Sequence, residues 1–420
     1  MILNKYNRDF WKKKIQSFLQ NIKMSLNFSY LPVISSIFYF FLSVGVFLVA
    51  SNTTHKLLLL PFLLIPAVLS FTRANYWPGD IGSLWGLLLG IWIAHSISLL
   101  WLEDHRVWDD TKTFQSRLVP TRYHKPLKLW NNPRLVGTGR QALRKSSPPL
   151  SLRNFAATRF TKLLVYIAIN IYVLPSIFPV LFPNMQVEDF GPTKQVFFRR
   201  LLSTTNPMTC REAMMRSVFV FYWVVGAVTQ LDAAHTALSI TSVVILRFND
   251  PADWPGIFGS PSECWSIRRF WGQFWHQIVV RPYTNYGIFL SRRVLGLHPG
   301  SQSDKILVIF IIFLFSGVLH SVVSWQLGDR NYSGDIWWFC LNFAAGALEV
   351  VASQLQRAVG RKAGQRDSCI RQTRIAWSKV FGFAWVFFFL FWSLPKSQYP
   401  KIYGHVQDVL SEMALSNMEN

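Results

Sequence analysis

The chain has 420 residues, of which 51% are hydrophobic, 16% aromatic and only 15% charged, where a soluble globular protein has about 25% charged residues. The apolar residues come in long blocks, which excludes an ordinary soluble enzyme, and the short segments of alternating polarity that a membrane barrel requires are missing, so an all-α, polytopic membrane protein is expected. The net charge of +22, from 43 Lys+Arg against 21 Asp+Glu, reads as basic loops facing anionic lipid on the cytosolic side, and no nucleic-acid partner is expected.

In chain order, residues 1–28 form a basic tail too polar for a cleavable signal peptide. About eight hydrophobic segments follow, at 29–50, 57–72, 81–102, 163–182, 217–247, 306–326, 335–356 and 376–394. The second is short and carries Pro61 and Pro66, which suits a tilted or re-entrant helix. The fifth is too long for one straight span and reads as starting along the interface. Residues 29–102 thus form an N-terminal group of spans.

The stretch 103–162 holds thirteen Lys/Arg and five prolines and reads as an extended cytosolic loop without a core of its own. Residues 163–395 form the membrane core, and 396–420 a C-terminal tail. Within the core, 248–305 is the densest aromatic and arginine cluster, and 357–375 is basic again. The positive-inside rule makes these polar stretches cytosolic. Threading the spans from there leaves the basic N-terminal tail on the lumenal side unless 57–72 fails to cross. The four cysteines are far apart with no C-x-x-C, so no disulfide framework and no metal site is expected.

Two stretches carry candidate chemistry. In Ser266-Ile-Arg-Arg-Phe-Trp-Gly-Gln-Phe-Trp-His-Gln277, a 100° step per residue places Arg269, Gln273, His276 and Gln277 on one face and Phe270, Trp271, Phe274 and Trp275 on the other. That describes an interfacial amphipathic helix, whether a simple aromatic anchor or the wall of a polar cavity. Arg268, Arg269 and Arg281 around it are suited to phosphate, on a cosubstrate or on lipid headgroups. Further on, Phe313-Leu-Phe-Ser-Gly-Val-Leu-His320 sets one histidine inside an apolar run long enough to cross a bilayer. An ionisable group at that depth is a functional-site candidate, and histidine exchanges its proton near neutral pH. Ser316 shares the His320 face one turn earlier, and Gly317 leaves room for a substrate or a helix. A second intramembrane pair, Asp232 and His235, is three residues apart on one face; the two line a polar tunnel or satisfy each other. Neither G-x-S-x-G nor H-E-x-x-H nor a phosphate loop occurs.

The tryptophan-rich stretch Trp265–His276, followed forty-four residues later by His320, resembles the paired motifs of the wax synthase-like branch of membrane-bound O-acyltransferases. Asp250-Pro-Ala-Asp-Trp-Pro-Gly-Ile-Phe-Gly-Ser260 and Asn132-Pro-Arg-Leu-Val-Gly-Thr-Gly139 are similar to its fungal members, those of terpenoid and meroterpenoid pathways. The resemblance implies acyl transfer from a CoA thioester to a hydroxyl in the membrane of the endoplasmic reticulum, with acetyl-CoA as cosubstrate, a hydrophobic alcohol as acceptor, membrane lipid around the protein and no bound cofactor. It implies His320 as general base and His276, where plant members carry asparagine, as the second catalytic group. Gln273 and Ser316 are the expected oxyanion and orienting groups, Arg268, Arg269 and Arg281 the CoA-binding set, and Trp271, Trp275, Asp232, His235 and Gly317 the tunnel lining. A long-chain wax ester synthase, a transporter of an amphipathic metabolite and a non-catalytic lipid-binding protein are the competing expectations.

Overall fold

A computed structural model describes residues 53–72, 81–103, 121–136, 151–247, 249–362 and 368–418, together with a few helical residues between 34 and 45. Among the described residues the chain is helical and has no strand. The main helices are α1 (Thr53–Thr72), α2 (Ile81–Ile97, continued to Leu102), α3 (Thr121–Trp130), α4 (Leu152–Leu181), α5 (Cys210–Ile245), α6 (Val280–Ile288, continued to Val294), α7 (Gln302–Gln326), α8 (Ser333–Lys362) and α9 (Ser368–Met418). Six of these, α2, α4, α5, α7, α8 and α9, contain stretches long and apolar enough to cross a membrane. They correspond to the third through eighth segments expected from sequence. The segment 29–50 falls largely outside the described residues, and 57–72 forms α1, which contains only a shorter apolar helix, Pro61–Ser70.

Side-chain hydroxyls fix where several helices start. The side chains of Ser151, Thr209 and Ser301 accept hydrogen bonds from the backbone N–H of Asn154, Glu212 and Asp304, satisfying donors that the first helical turn leaves free. Three boundaries differ from expectation. The stretch 103–162 is not all loop: α3 buries Leu129 and Trp130 against α2, and α4 starts at Leu152. The fifth segment is one continuous helix from Cys210 to Ile245, because its polar first turns are satisfied internally: Glu212 is paired with the buried Arg200 and Arg216. Residues 396–418 are not a tail but the end of α9, which runs through Pro395 and Pro400 and buries Tyr399 in the core.

The principal core joins α5, the tryptophan-rich turn at 265–277, α8 and α9. In contrast, α4 buries only 6% of its apolar window, and its exposed Leu164, Ile171 and Tyr172 form an outward apolar surface that suits hydrocarbon. Close approach of α7 and α8 depends on Gly317, where a Cβ would stand 2.9 Å from the Ile336 Cα. Likewise, a Cβ on Gly382 of α9 would run into the carbonyl of Trp265. The first contact seats the histidine helix on α8, and the second seats the tryptophan turn on α9.

Candidate active site

The tryptophan-rich stretch is not the regular amphipathic helix that a 100° step implies. Ser266 caps a single turn, Ile267–Arg269, through Oγ to the Arg269 N–H. The chain then widens into a π-turn, Phe270–Phe274, and Trp275 is extended at φ −65° and ψ 155°. Glu349 of α8 closes the start of this turn: its carboxylate accepts from the backbone N–H of Ile267 at 2.7 Å and of Arg268 at 3.0 Å, and from Trp385 Nε1 at 2.8 Å. A carboxylate placed on free N–H groups at a helix start is the favourable arrangement.

The π-turn redistributes the faces. Phe270, Phe274 and Trp275 are buried, Trp271 and His276 are half-buried, and Arg268 and Gln273 are exposed. The expected polar face of Arg269, Gln273 and His276 therefore does not form, because the π-turn and the extended Trp275 break the 100° register between Gln273 and His276. Trp275 stacks on Trp223 with centroids 5.4 Å apart and planes 6° apart. Trp271 packs edge-on to Trp338 and donates from Nε1 to Asn342 Oδ1 at 2.9 Å. Both tryptophans are thus held in the aromatic core.

His276 lies edge-on to Phe258, with centroids 5.9 Å apart, and its Nδ1 is buried without a hydrogen-bond partner. Burial, with His320 next and Arg134 after it in the surrounding field, pushes His276 down to about 3, so the ring is neutral at physiological pH. Ile278, two residues after His276, packs in one apolar cluster with Leu319, the residue before His320, so the two histidine-bearing segments meet although forty-four residues separate the rings. His320 is half-buried on α7, its ring stacked on Phe339 of α8 at 5.0 Å and 28°. Its imidazole makes no hydrogen bond among the described residues.

The other expected site residues are distributed differently. The Ser316 hydroxyl donates to the Ile312 carbonyl of its own helix at 2.7 Å, so nothing directs it toward His320. Gly317 is buried against the α8 backbone, a helix contact and not a tunnel wall. Arg269 pairs with Glu263 and lies over the Trp265 ring at 4.6 Å, while Arg281 pairs with Glu103 at 2.8 Å; the two arginines share no acidic partner. Asp232 and His235 do share a face, at 3.8 Å, but the Asp232 carboxylate is held by Lys162 at 2.5 Å and the Tyr166 hydroxyl at 3.0 Å, tying α5 to α4. His235 lines a cavity beside Trp254.

Sequence reading missed several residues around His320. Phe339 supports its ring. One turn beyond it on α7, Ser324 donates to Asp335 Oδ2 at 2.8 Å, and Lys401 Nζ from α9 reaches both Asp335 and Ser324 at 2.6 Å. Phe339, Asp335 and Lys401 come from α8 and α9, and no motif around His320 pointed to them.

Residues 254–341, which contain both histidines, match the sequence model of the Membrane bound O-acyl transferase family. The chain is similar to acetyltransferase ple2 of Rhodocybe pseudopiperita, at 30% identity over 41% of this chain and 45% of that protein. It is similar to acetyltransferase atnC of an Arthrinium species, at 35% identity over 48% and 46%, and to acetyltransferase nanB of Aspergillus nanangensis, at 30% over 44% and 43%. The chain spans about half the length of these curated relatives. No solved structure matches it. The part of the chain that carries both His276 and His320 is thus the part that matches the membrane bound O-acyl transferase family, on a multi-pass helical protein similar to fungal acetyltransferases.

Proposed function

We propose that the protein is an acyl-CoA-dependent O-acetyltransferase of secondary metabolism that moves an acetyl group from acetyl-CoA to a hydroxyl of a hydrophobic terpenoid or meroterpenoid. The observation that carries this reading is the half-buried His320 imidazole, without a hydrogen bond among the described residues, on the same segment as a neutral His276 and matching the acyltransferase family, with Ile278 and Leu319 next to the two histidines in one apolar cluster. The fungal relatives named acetyltransferases support the acetyl group.

In the proposed reaction an apolar alcohol reaches the site from the bilayer and acetyl-CoA from the cytosol. Neutral His320 takes the hydroxyl proton as the oxygen attacks the thioester carbonyl carbon, a step worth about 10²–10⁴-fold for a positioned base. Neutral His276 donates its remaining N–H to the tetrahedral oxyanion; one such donor contributes roughly 3–4 kcal/mol. Collapse of the intermediate breaks the C–S bond, and the His320 imidazolium returns the proton to the CoA thiolate. The ester leaves with the acetyl group, and no acyl-enzyme forms. Arg268, exposed at the start of the tryptophan turn, adds to the positive field that draws the polyanionic cosubstrate. The endoplasmic reticulum is the proposed compartment.

The test is microsomes containing the protein, labelled acetyl-CoA and a panel of terpenoid alcohols, with product mass as readout. Labelled ester that vanishes in His320→Ala, while the variant still inserts, supports the reading. Equal product from the variant, or flux of the alcohol without acetyl-CoA, overturns it. Preferential use of long-chain acyl-CoA in competition would make the protein a wax ester synthase instead.

A further inference from the structure

The two other stretches singled out in the sequence, Asn132–Gly139 and Asp250–Ser260, meet in space where they are described. Lys128 Nζ, just ahead of the first, pairs with Asp253 at 3.0 Å. Between these segments and one face of α5 lies a cavity with a mostly apolar wall. Leu88, Ile91 and Trp92 enter it from the apolar span of α2, Leu231 and Leu238 from α5, and Trp254 from the loop that follows α5.

The polar groups of the wall are largely engaged with one another. Lys128 holds the Asp253 carboxylate. The Asn132 side chain donates to the Val136 carbonyl and accepts from the Val136 N–H, both at 2.9 Å. Arg134 donates to the carbonyls of Pro255 at 3.4 Å and Gly256 at 3.3 Å. Asn249 Oδ1 accepts from Trp254 Nε1 at 3.4 Å. A ligand that took over these groups would break bonds already made, so the lining favours a neutral, largely apolar body. His235 of α5 differs. Its ring lines the cavity, tilted on Trp254 with centroids 5.2 Å apart, and makes no hydrogen bond among the described residues. Nδ1 is buried 3.8 Å from Asp232 Oδ1, which leaves Nε2 as the ring nitrogen for a ligand in the cavity. A carboxylate on the Nδ1 side favours the tautomer with its proton there, so Nε2 is an acceptor.

The apolar wall continues to both histidines. Ile91, Ile257 and Ile278 form one buried cluster, with Phe258 and Leu319 packed on it. Phe258 lies edge-on to His276, and Leu319 precedes His320. Gly90 of α2 admits Leu319, since a Cβ there would run into the Leu319 side chain. We infer that this cavity seats the hydrocarbon body of the acceptor alcohol, with a second hydroxyl of the acceptor, remote from the reacting one, donating to His235 Nε2. The inference rests on the acetyltransferase reading above and narrows its acceptor to a terpenoid diol. An ether or ketone oxygen at the same place has no proton to give to Nε2 and gains nothing there.

Binding without turnover tests it. Full-length protein purified in detergent is photolysed with a diazirine analogue of farnesol, and the label is mapped by mass spectrometry. Farnesol, 12-hydroxyfarnesol and 12-methoxyfarnesol then compete for the labelled site. The expected results are label within 88–92, 231–238 or 254–257, and 12-hydroxyfarnesol competing about two- to tenfold better than the other two, the worth of one hydrogen bond. That preference should be gone in His235→Phe. Label that is absent or confined to the outward face of α4 overturns the inference, as does equal competition by all three alcohols or a preference that survives in His235→Phe. Cavity label displaced by CoA but not by farnesol also overturns it, in favour of a cosubstrate site. In each of these cases labelled ester formed from acetyl-CoA in microsomes leaves the acetyltransferase reading standing. Cavity label with the 12-hydroxyl preference, but no ester from any alcohol, overturns that reading and leaves the cavity a diol site. Label position and the 12-hydroxyl preference are read on the wild-type chain, so a folding defect in His235→Phe does not affect them.

Discussion

The imidazole of His320 lies over the ring of Phe339, with centroids 5.0 Å apart and planes tilted by 28°. The two residues sit on adjacent antiparallel helices joined by the short turn after Gln326. Gly317, one turn before His320, lets the α8 backbone come close enough for the stack to form. Position in the bilayer is set by α7, but the orientation of the proposed base is set by its partner on α8.

Replacing Phe339 with leucine keeps an apolar side chain and removes the stack, whose worth is about 0.5–1.5 kcal/mol. The expected outcome is kcat lowered about three- to tenfold, with KM for acetyl-CoA little changed, in initial-rate assays on microsomes. A fall in binding with kcat intact would show that Phe339 touches the cosubstrate rather than orienting His320.

Gly317→Leu should separate α7 from α8. The first added carbon already meets the Ile336 Cα at 2.9 Å and the Phe339 side chain at 3.1 Å. Overpacking of this kind costs about 1–3 kcal/mol, read as a lower Tm in detergent together with loss of ester product. A variant as stable as wild type would mean that the helices slide apart freely.

The pair Asp335 and Lys401 joins α8 to α9 beside Ser324, and both side chains are largely buried. Removing one member leaves a charge without its partner, at a cost of about 3–5 kcal/mol. Asp335→Ala and Lys401→Ala are each expected to unfold at markedly lower temperature, and the double variant to be less impaired than the sum of the two. Strict additivity in that cycle would show that the charges do not interact. Truncation after residue 395 should be as damaging as Lys401→Ala, since it removes Tyr399 and Lys401 together.

His276 contributes a pH dependence with a definite sign. Its folded-state pKa is depressed to about 3 from an ordinary 6.5, chiefly by burial. Between those values the unfolded chain binds the proton and the folded one does not, so stability rises with pH across that window. The contribution is complete above about 6.5 and is lost as pH falls toward 3. In His276→Asn, which cannot titrate, the decline of Tm between pH 6.5 and 4 should be shallower than in wild type. An identical decline in both would place the acid sensitivity elsewhere.

Much of the architecture was legible in the chain. Apolar blocks of spanning length announce helices in hydrocarbon because a backbone without water must bond to itself. That rule placed α2, α4, α5, α7, α8 and α9 and set His320 inside one of them. The order of the tryptophan stretch and the histidine helix was also readable, since both are local patterns. The uniform 100° step failed at Phe270–Phe274, where a π-turn and an extended Trp275 turn His276 away from Gln273. Periodicity carries no information about such a break, which is fixed by Trp223, Trp338 and Glu349 arriving from α5 and α8. Pro395 and Pro400 read as the start of a tail, yet α9 continues because Tyr399 is buried beside the Arg216 guanidinium and Lys401 meets Asp335.

By itself, the sequence determined that this chain carries membrane-spanning helices and which segments form them, because hydrophobic length acts locally. Only the tertiary structure decided that the segments carrying His276 and His320 meet, that Phe339 carries the His320 ring, and that Arg134 faces a cavity while Arg269 and Arg281 hold carboxylates. Those are pairings between distant helices, fixed by side-chain packing and by the need to compensate buried charge, and neither is written in the spacing of residues along a single strand of chain.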